Sequence, residues 1–175
     1  MNDKAKMQVG NDLRRRVRLR PVGEREDEDF LYELYATTRA DELALTGWDA
    51  LQRESFLRMQ LAAQKASYYA RFPDSQHSIV MLGESMVGRM WVARTDEEFR
   101  LLDIALMPAY FNAGIGTLLV NNLITEAIAA GKPLRHMVSK TNPAALRFYE
   151  RLGFIVIEEI STHFQMEKLI QVNKR

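Results

Sequence analysis

Ile104-Ala105-Leu106-Met107-Pro108-Ala109-Tyr110-Phe111-Asn112-Ala113-Gly114-Ile115-Gly116-Thr117 is the stretch that decides how this chain folds. An apolar strand ends at Pro108, a short loop follows, and a helix opens at the two glycines. The first N–H groups of a helix have no internal partner and lie at the positive end of its dipole. Such a junction suits a phosphate or pyrophosphate. Glycine also lets backbone approach a ligand with no Cβ in the way. Alone, Gly-x-Gly fits tight helix-to-strand packing equally well. A dinucleotide fingerprint would need a third glycine where Leu119 stands, and Gly116-Thr117 lacks the lysine of a Walker-type loop.

Downstream, Leu118, Leu119, Leu123, Ile124 and Ile128 recur at helical spacing, which predicts a helix from Ile115 to Ala130 stopped by Gly131-Lys132-Pro133. Leu134 to Val138 reads as a strand, Pro143 to Leu152 as a short helix, and Phe154 to Ile160 and His163 to Leu169 as strands. Upstream, Val17 to Val22 reads as a first strand. Arg16, Arg18 and Arg20 alternate with Val17 and Leu19 there, as on a strand with one solvated face. Glu24, Glu26, Asp27, Glu28 and Asp29 then crowd the start of a helix, where carboxylates favour the dipole. That helix carries Leu31, Leu34 and Tyr35 and runs to about Thr38, with a break from Arg39 to Trp48.

A long helix follows from about Asp49 to Arg71. Phe56, Met59, Ala63, Ala66 and Ala70 form one apolar stripe and Leu57, Leu61 and Tyr68 a second, so more than one face is covered and most of this apolar surface is expected in the core. Ser78 to Leu82 and Met86 to Ala93 form a hairpin about Gly83-Glu84-Ser85, and a turn at Thr95 to Glu97 leads into Phe99 to Met107. This succession describes an α/β or α+β protein with a mixed sheet.

The whole chain sets bounds. At 175 residues it suits one domain from residue 13 to 175, behind a floppy tail from Met1 to Asp12. A net charge of +1, with 27% charged residues, argues against nucleic acid as a partner. Without cysteine there are no disulfides, thiolate metal sites or cysteine nucleophile. His77, His136 and His163 lack ligand spacing, so no metal is expected. No signal peptide or membrane span is visible, and a cytoplasmic protein is the expectation.

Two signatures carry a family resemblance. Leu106-Met107-Pro108 followed by Gly114-Ile115-Gly116 resembles the coenzyme A loop of GNAT acetyltransferases, in which a strand ending Val-x-Pro precedes Arg/Gln-x-x-Gly-x-Gly/Ala. Phe111 stands at the Arg/Gln position, a departure. Asn142-Pro143-Ala144-Ala145-Leu146-Arg147-Phe148-Tyr149-Glu150-Arg151-Leu152-Gly153-Phe154 is similar to the family's Asn-x-x-Ala-x-x-Phe/Leu-Tyr-x-x-x-Gly-Phe element.

The resemblance implies the acyl-CoA N-acyltransferase fold, a mixed, mostly antiparallel sheet of about seven strands flanked by about four helices. It implies acetyl-CoA as cosubstrate, bound by Ile104, Ala105, Leu106, Asn112, Ala113, Gly114, Ile115, Gly116, Thr117, Asn142 and Tyr149. The acceptor would be an amine. The Leu106 N–H would stabilise the oxyanion and Tyr149 would protonate the departing thiolate. From the residues themselves, Asn142 before Pro143 is a good N-cap, and Tyr149 shares an apolar helix face that fits a core tyrosine.

The base is harder to find. The family's glutamate position before the Asn element holds Met137, and the central strand offers Arg100 and Leu102. Asp103 is the nearest carboxylate and is equally suited to a structural hydrogen bond. Glu33, Asp41 and Glu42 are candidates for recognising a cationic acceptor. Two other readings stand beside the enzyme: a silent acyl-CoA-binding module, and an interaction subunit, since proteins of this resemblance often form homodimers.

Overall fold

The computed structural model describes residue 13, residues 15–23 and residues 25–169. The expectations placed on Met1 to Asp12, Arg14 and Glu24 lie outside these. The elements are β1 (Val17–Pro21), α1 (Glu28–Ala44), α2 (Ala50–Arg71), β2 (Gln76–Leu82), β3 (Ser85–Arg94) and β4 (Phe99–Leu106). A 3-10 turn (Pro108–Tyr110), α3 (Ile115–Ala130), β5 (Leu134–Ser139), α4 (Pro143–Arg151), β6 (Phe154–Ile160) and β7 (His163–Lys168) follow. The strands form one sheet in the order β1-β2-β3-β4-β5-β7-β6. β1 pairs antiparallel with β2, and β7 antiparallel with both β5 and β6, while β4 and β5 run parallel. This is the mixed, mostly antiparallel seven-stranded sheet with four helices that the sequence led us to expect. The chain comprises two compact units, Met1–Trp91 with Asp103–Ile115, and Val92–Leu102 with Gly116–Arg175.

In the first unit, Leu31, Ile79 and Met81 form one buried cluster, and Tyr35, Leu43 and Leu57 another. The second cluster explains why α1 runs to Ala44 and not only to Thr38. Leu43 is buried, so the turn carrying Arg39, Asp41 and Glu42 is anchored through it; Asp41 and Glu42 are exposed, while half-buried Arg39 lies over the Tyr35 ring and reaches Glu42 at 3.2 Å. Helix α2 begins as expected, with Asp49 and Gln52 forming a reciprocal capping box. It contributes less to the core than the spacing of its apolar residues predicts. Leu57 is its only buried residue, Met59 is 59% exposed, and Ala63, Ala66 and Ala70 face outward. An alanine stripe imitates a core face in spacing while offering little apolar area to bury.

The acidic run opens α1 as expected, with Asp27 at the N-cap position and Glu28 and Asp29 in the first turn. Asp27 is in addition buried: it is 1% exposed and accepts from Arg20 Nη2 at 2.6 Å, Arg20 Nη1 at 3.0 Å and the Gly23 N–H at 2.7 Å. The Arg20 guanidinium holds its carboxyl below the usual aspartate range despite burial. Arg20 therefore does not sit on a simply solvated strand face, while Leu19, expected on the inner face, is exposed.

In the second unit, α3 buries Leu118, Leu119, Val120, Leu123, Ile124 and Ala127, whereas Ile128 is exposed. Leu134, Val138, Phe154 and Met166 are buried on β5, β6 and β7. A chain of charges runs across three strands: Glu98 accepts from Arg100 and from Arg135, each at 2.6 Å, and Arg135 also donates to Glu167 at 2.7 Å. Burial would push the Glu98 carboxyl up, but its two arginines outweigh that and hold it down. Gly153 follows α4 with φ +80°, and a Cβ there would collide with Lys168 Nζ.

Candidate active site

The loop that opens α3 is built around backbone conformation. Asn112 has φ +58° and Gly114 φ +83°, and Ile115 between the two glycines is completely buried. A Cβ added at Gly114 would meet only Leu13 Cδ2, at 3.4 Å. Glycine at this position is thus required by its left-handed φ rather than by close packing. Asn112, Ala113, Gly114 and Thr117 are exposed, as a ligand-contacting turn requires, and Phe111 beside them is 58% exposed.

The strand leading to this loop is held closely. A Cβ at Gly88 of β3 would overlap the Ala105 carbonyl, and the Met107 N–H donates to Val87 O at 2.8 Å. Gly88 is therefore a close-approach glycine that seats the end of β4, where Ile104, Ala105 and Leu106 are half-buried.

Asp103 lies three residues before Leu106 and has a specific partner. Its Oδ2 accepts from Arg89 Nε at 2.6 Å, and Arg89 Nη2 donates to Gln64 at 2.8 Å. Arg89 is 2% exposed, a buried cation that needs this carboxylate. The structural hydrogen-bonding role foreseen for Asp103 is thus present. Around it, Tyr68 has its phenol pushed up to about 12 by burial and by the charge of Asp103. His77 stacks on Trp91 with ring centroids 3.9 Å apart, and burial together with Arg89 lowers its pKa to about 3. Both His77 ring nitrogens and Arg89 Nη1 are buried without a partner within the protein.

The second unit holds the other predicted residues. Asn142 Oδ1 accepts from the Ala145 N–H at 2.9 Å, with Pro143 as the first helical residue, so the capping role is realised. Tyr149 is 3% exposed and ringed by His136, Phe148 and Phe154. His136 is the residue that sequence reasoning passed over. It is buried in the alternating trio Leu134, His136 and Val138, and its Nδ1 lies 2.6 Å from Leu101 O. The signal was there: a histidine on the apolar phase of a strand needs a polar partner. Among the described residues no group of three or more potential metal ligands occurs, and no helix is long and apolar enough to cross a membrane.

The acetyltransferase (GNAT) family model matches residues 29–154, well over half of the chain. The chain belongs to the GNAT acetyltransferase family. No curated protein matches the sequence. Among solved structures, this GNAT chain is similar to a PaiA N-acetyltransferase from Thermoplasma acidophilum in complex with coenzyme A. That likeness has 20% identity and a TM-score of 0.63, covering 87% of this chain and 98% of that one. It is also similar to an acetyltransferase from Streptococcus agalactiae 2603, at 19% identity and TM-score 0.60, with coverages of 89% and 99%. A third likeness is to the Campylobacter jejuni N-acetyltransferase PseH in complex with acetyl coenzyme A, at 19% identity and TM-score 0.55, again with coverages of 89% and 99%. These likenesses show the fold of a GNAT N-acetyltransferase.

Proposed function

We propose that this GNAT enzyme transfers the acetyl group of acetyl-CoA to a primary amine of a small molecule or protein. The observation that carries the reading is the start of α3, where Gly114, at φ +83°, precedes a helix whose first residue is anchored by complete burial. Such a turn directs free N–H groups at an anion, and a coenzyme pyrophosphate is the anion that this family offers it. Two of the similar structures named above contain coenzyme A or acetyl coenzyme A, which supports the donor.

In this proposal Asn112, Ala113, Gly114, Ile115, Gly116 and Thr117 bind the pyrophosphate mainly through backbone. Ile104, Ala105 and Leu106 follow the pantetheine arm, and Asn142 and Tyr149 add further contacts. The neutral amine attacks the thioester carbon, the oxyanion is held by the Leu106 N–H, and the C–S bond breaks as Tyr149 protonates the thiolate. The amine must also lose a proton. Asp103 is the base candidate on β4, with one carboxylate oxygen already committed to Arg89. We place the enzyme in the cytoplasm as one domain from residue 13 to 175, without metal, nucleic acid or membrane as partner, and with a homodimer as the assembly to test.

The decisive experiment follows free thiol released from acetyl-CoA across an amine panel. Tyr149→Phe is expected to lower kcat by about 10²–10⁴-fold while leaving coenzyme affinity within about twofold. Wild-type turnover in that variant would remove Tyr149 from the mechanism. Tight coenzyme binding without turnover on any amine would favour a silent acyl-CoA-binding module, the reading to which Phe111 and Met137 lend weight.

A further inference from the structure

We propose that His136 is a positioning residue for Tyr149, holding the phenol ring in the one orientation from which it can act. The inference rests on the general-acid reading of Tyr149 and extends it to a residue outside the family's motifs.

Three observations converge on His136. First, the imidazole is tied to backbone. Its Nδ1 lies 2.6 Å from the Leu101 carbonyl, and a carbonyl oxygen only accepts, so Nδ1 carries a proton. Second, the tie falls at a defined place in the sheet. The parallel register of β4 with β5 runs through Phe99↔Leu134, Arg100↔Arg135 and Leu101↔His136, and ends there although β5 continues to Ser139. The side chain thus bonds to the residue paired with it in the last rung, and the ring plane is fixed relative to the sheet. Third, this fixed ring lies against the tyrosine. The His136 and Tyr149 centroids are 4.5 Å apart with planes tilted by 43°.

Tyr149 touches two further rings, Phe148 at 5.0 Å and Phe154 at 5.4 Å, both edge-on. Phenylalanine side chains cannot be tethered by a hydrogen bond. His136 is the member of this cage whose orientation is set by a directional bond, and it passes that orientation on by contact. A general acid gains from such restraint because a displacement of about 1 Å at the reacting atom can cost on the order of 10² in rate. A purely packing role would be filled as well by leucine or phenylalanine. Histidine brings a buried polar group that must be satisfied, and it is satisfied by the bond that orients it.

Two substitutions separate the bond from the ring. His136→Phe keeps a ring without the donor. His136→Asn keeps an amide donor near the Nδ1 position without the ring. Each is expected to lower kcat about tenfold in the wild-type background and by less than about twofold in Tyr149→Phe, with acetyl-CoA affinity within about twofold throughout. An equal loss in both backgrounds, or wild-type kcat in His136→Phe, would overturn the proposal.

Two magnetic resonance readouts need no acceptor. In the wild-type protein the His136 imidazole ¹⁵N spectrum should show the Nδ1-protonated state; a ring protonated only at Nε2 would overturn it. The Tyr149 ring-flip rate should rise about tenfold or more in His136→Asn, and an unchanged rate would count equally against it. If Tyr149→Phe itself turns over normally, the general-acid reading fails by that result alone, and the flip rate still decides whether His136 restrains the ring.

Discussion

Helices α3 and α4 begin in opposite ways. At the start of α4, Pro143 has no N–H to satisfy, and Asn142 Oδ1 takes the Ala145 N–H at 2.9 Å. The helix closes its own end and gains stability from doing so. At the start of α3, the residue before the helix is Gly114, which has no side-chain oxygen to offer, and Ile115, Gly116 and Thr117 all carry N–H groups. One terminus carries a side-chain cap from within the chain, and the other is the one we propose to meet a ligand. On the proposed function, the same backbone problem, four unpaired donors at a helix start, serves stability in one place and binding in the other.

The sharpest way to break this contrast is Gly114→Val, which puts a β-branched residue at φ +83°. Acetyl-CoA at one hundred times its Kd should stabilise the wild type by about 2.7 kcal/mol, read as a rise in melting temperature. The variant should show no such rise, and a preserved rise would remove α3 as the coenzyme's anchor. A milder change is Gly114→Asp, which sets a carboxylate where the pyrophosphate is proposed to sit. Calorimetry should find affinity reduced about tenfold, with the penalty shrinking as salt is raised. A penalty insensitive to salt would point to backbone strain instead.

The smallest effect is expected at the other helix. Asn142→Ala should cost about 1 kcal/mol through the lost cap, lowering the melting temperature by roughly 2–4 °C. Unchanged coenzyme affinity in that variant would make Asn142 a cap alone. A drop of about tenfold would give it the second role proposed above.

Much of this architecture was legible because it is dictated locally. Helix α3 from Ile115 to Ala130 and strand β6 from Phe154 to Ile160 have the bounds that periodicity and glycine punctuation predict. Asn142, Pro143 and Gly153 act at the helix ends where their chemistry places them. What escaped depends on partners distant in sequence. The continuation of α1 rests on Leu43 meeting a cluster with Leu57, and the burial of Asp27 rests on Arg20 of β1. The exposure of Met59 and of the alanines of α2 could not be told from spacing alone. At the site, the glycine turn announced itself, whereas Asp103 needed Arg89, fourteen residues upstream, and His136 needed Leu101 on the neighbouring strand. Those are relations across a sheet, and alternation on one strand does not contain them.

Ile115 carries a last consequence. Its side chain is fully buried, yet it stands between two glycines, the residues with the most backbone freedom in the unfolded chain. Pinning it settles the geometry of the turn when the protein folds, well before any coenzyme arrives. Ordering a residue costs about 1–2 kcal/mol in conformational entropy, and a loop organised in advance spares the incoming ligand that cost. In the proposed site the turn around exposed Gly114 and half-buried Gly116 supplies the donors, and the isoleucine keeps them waiting in formation.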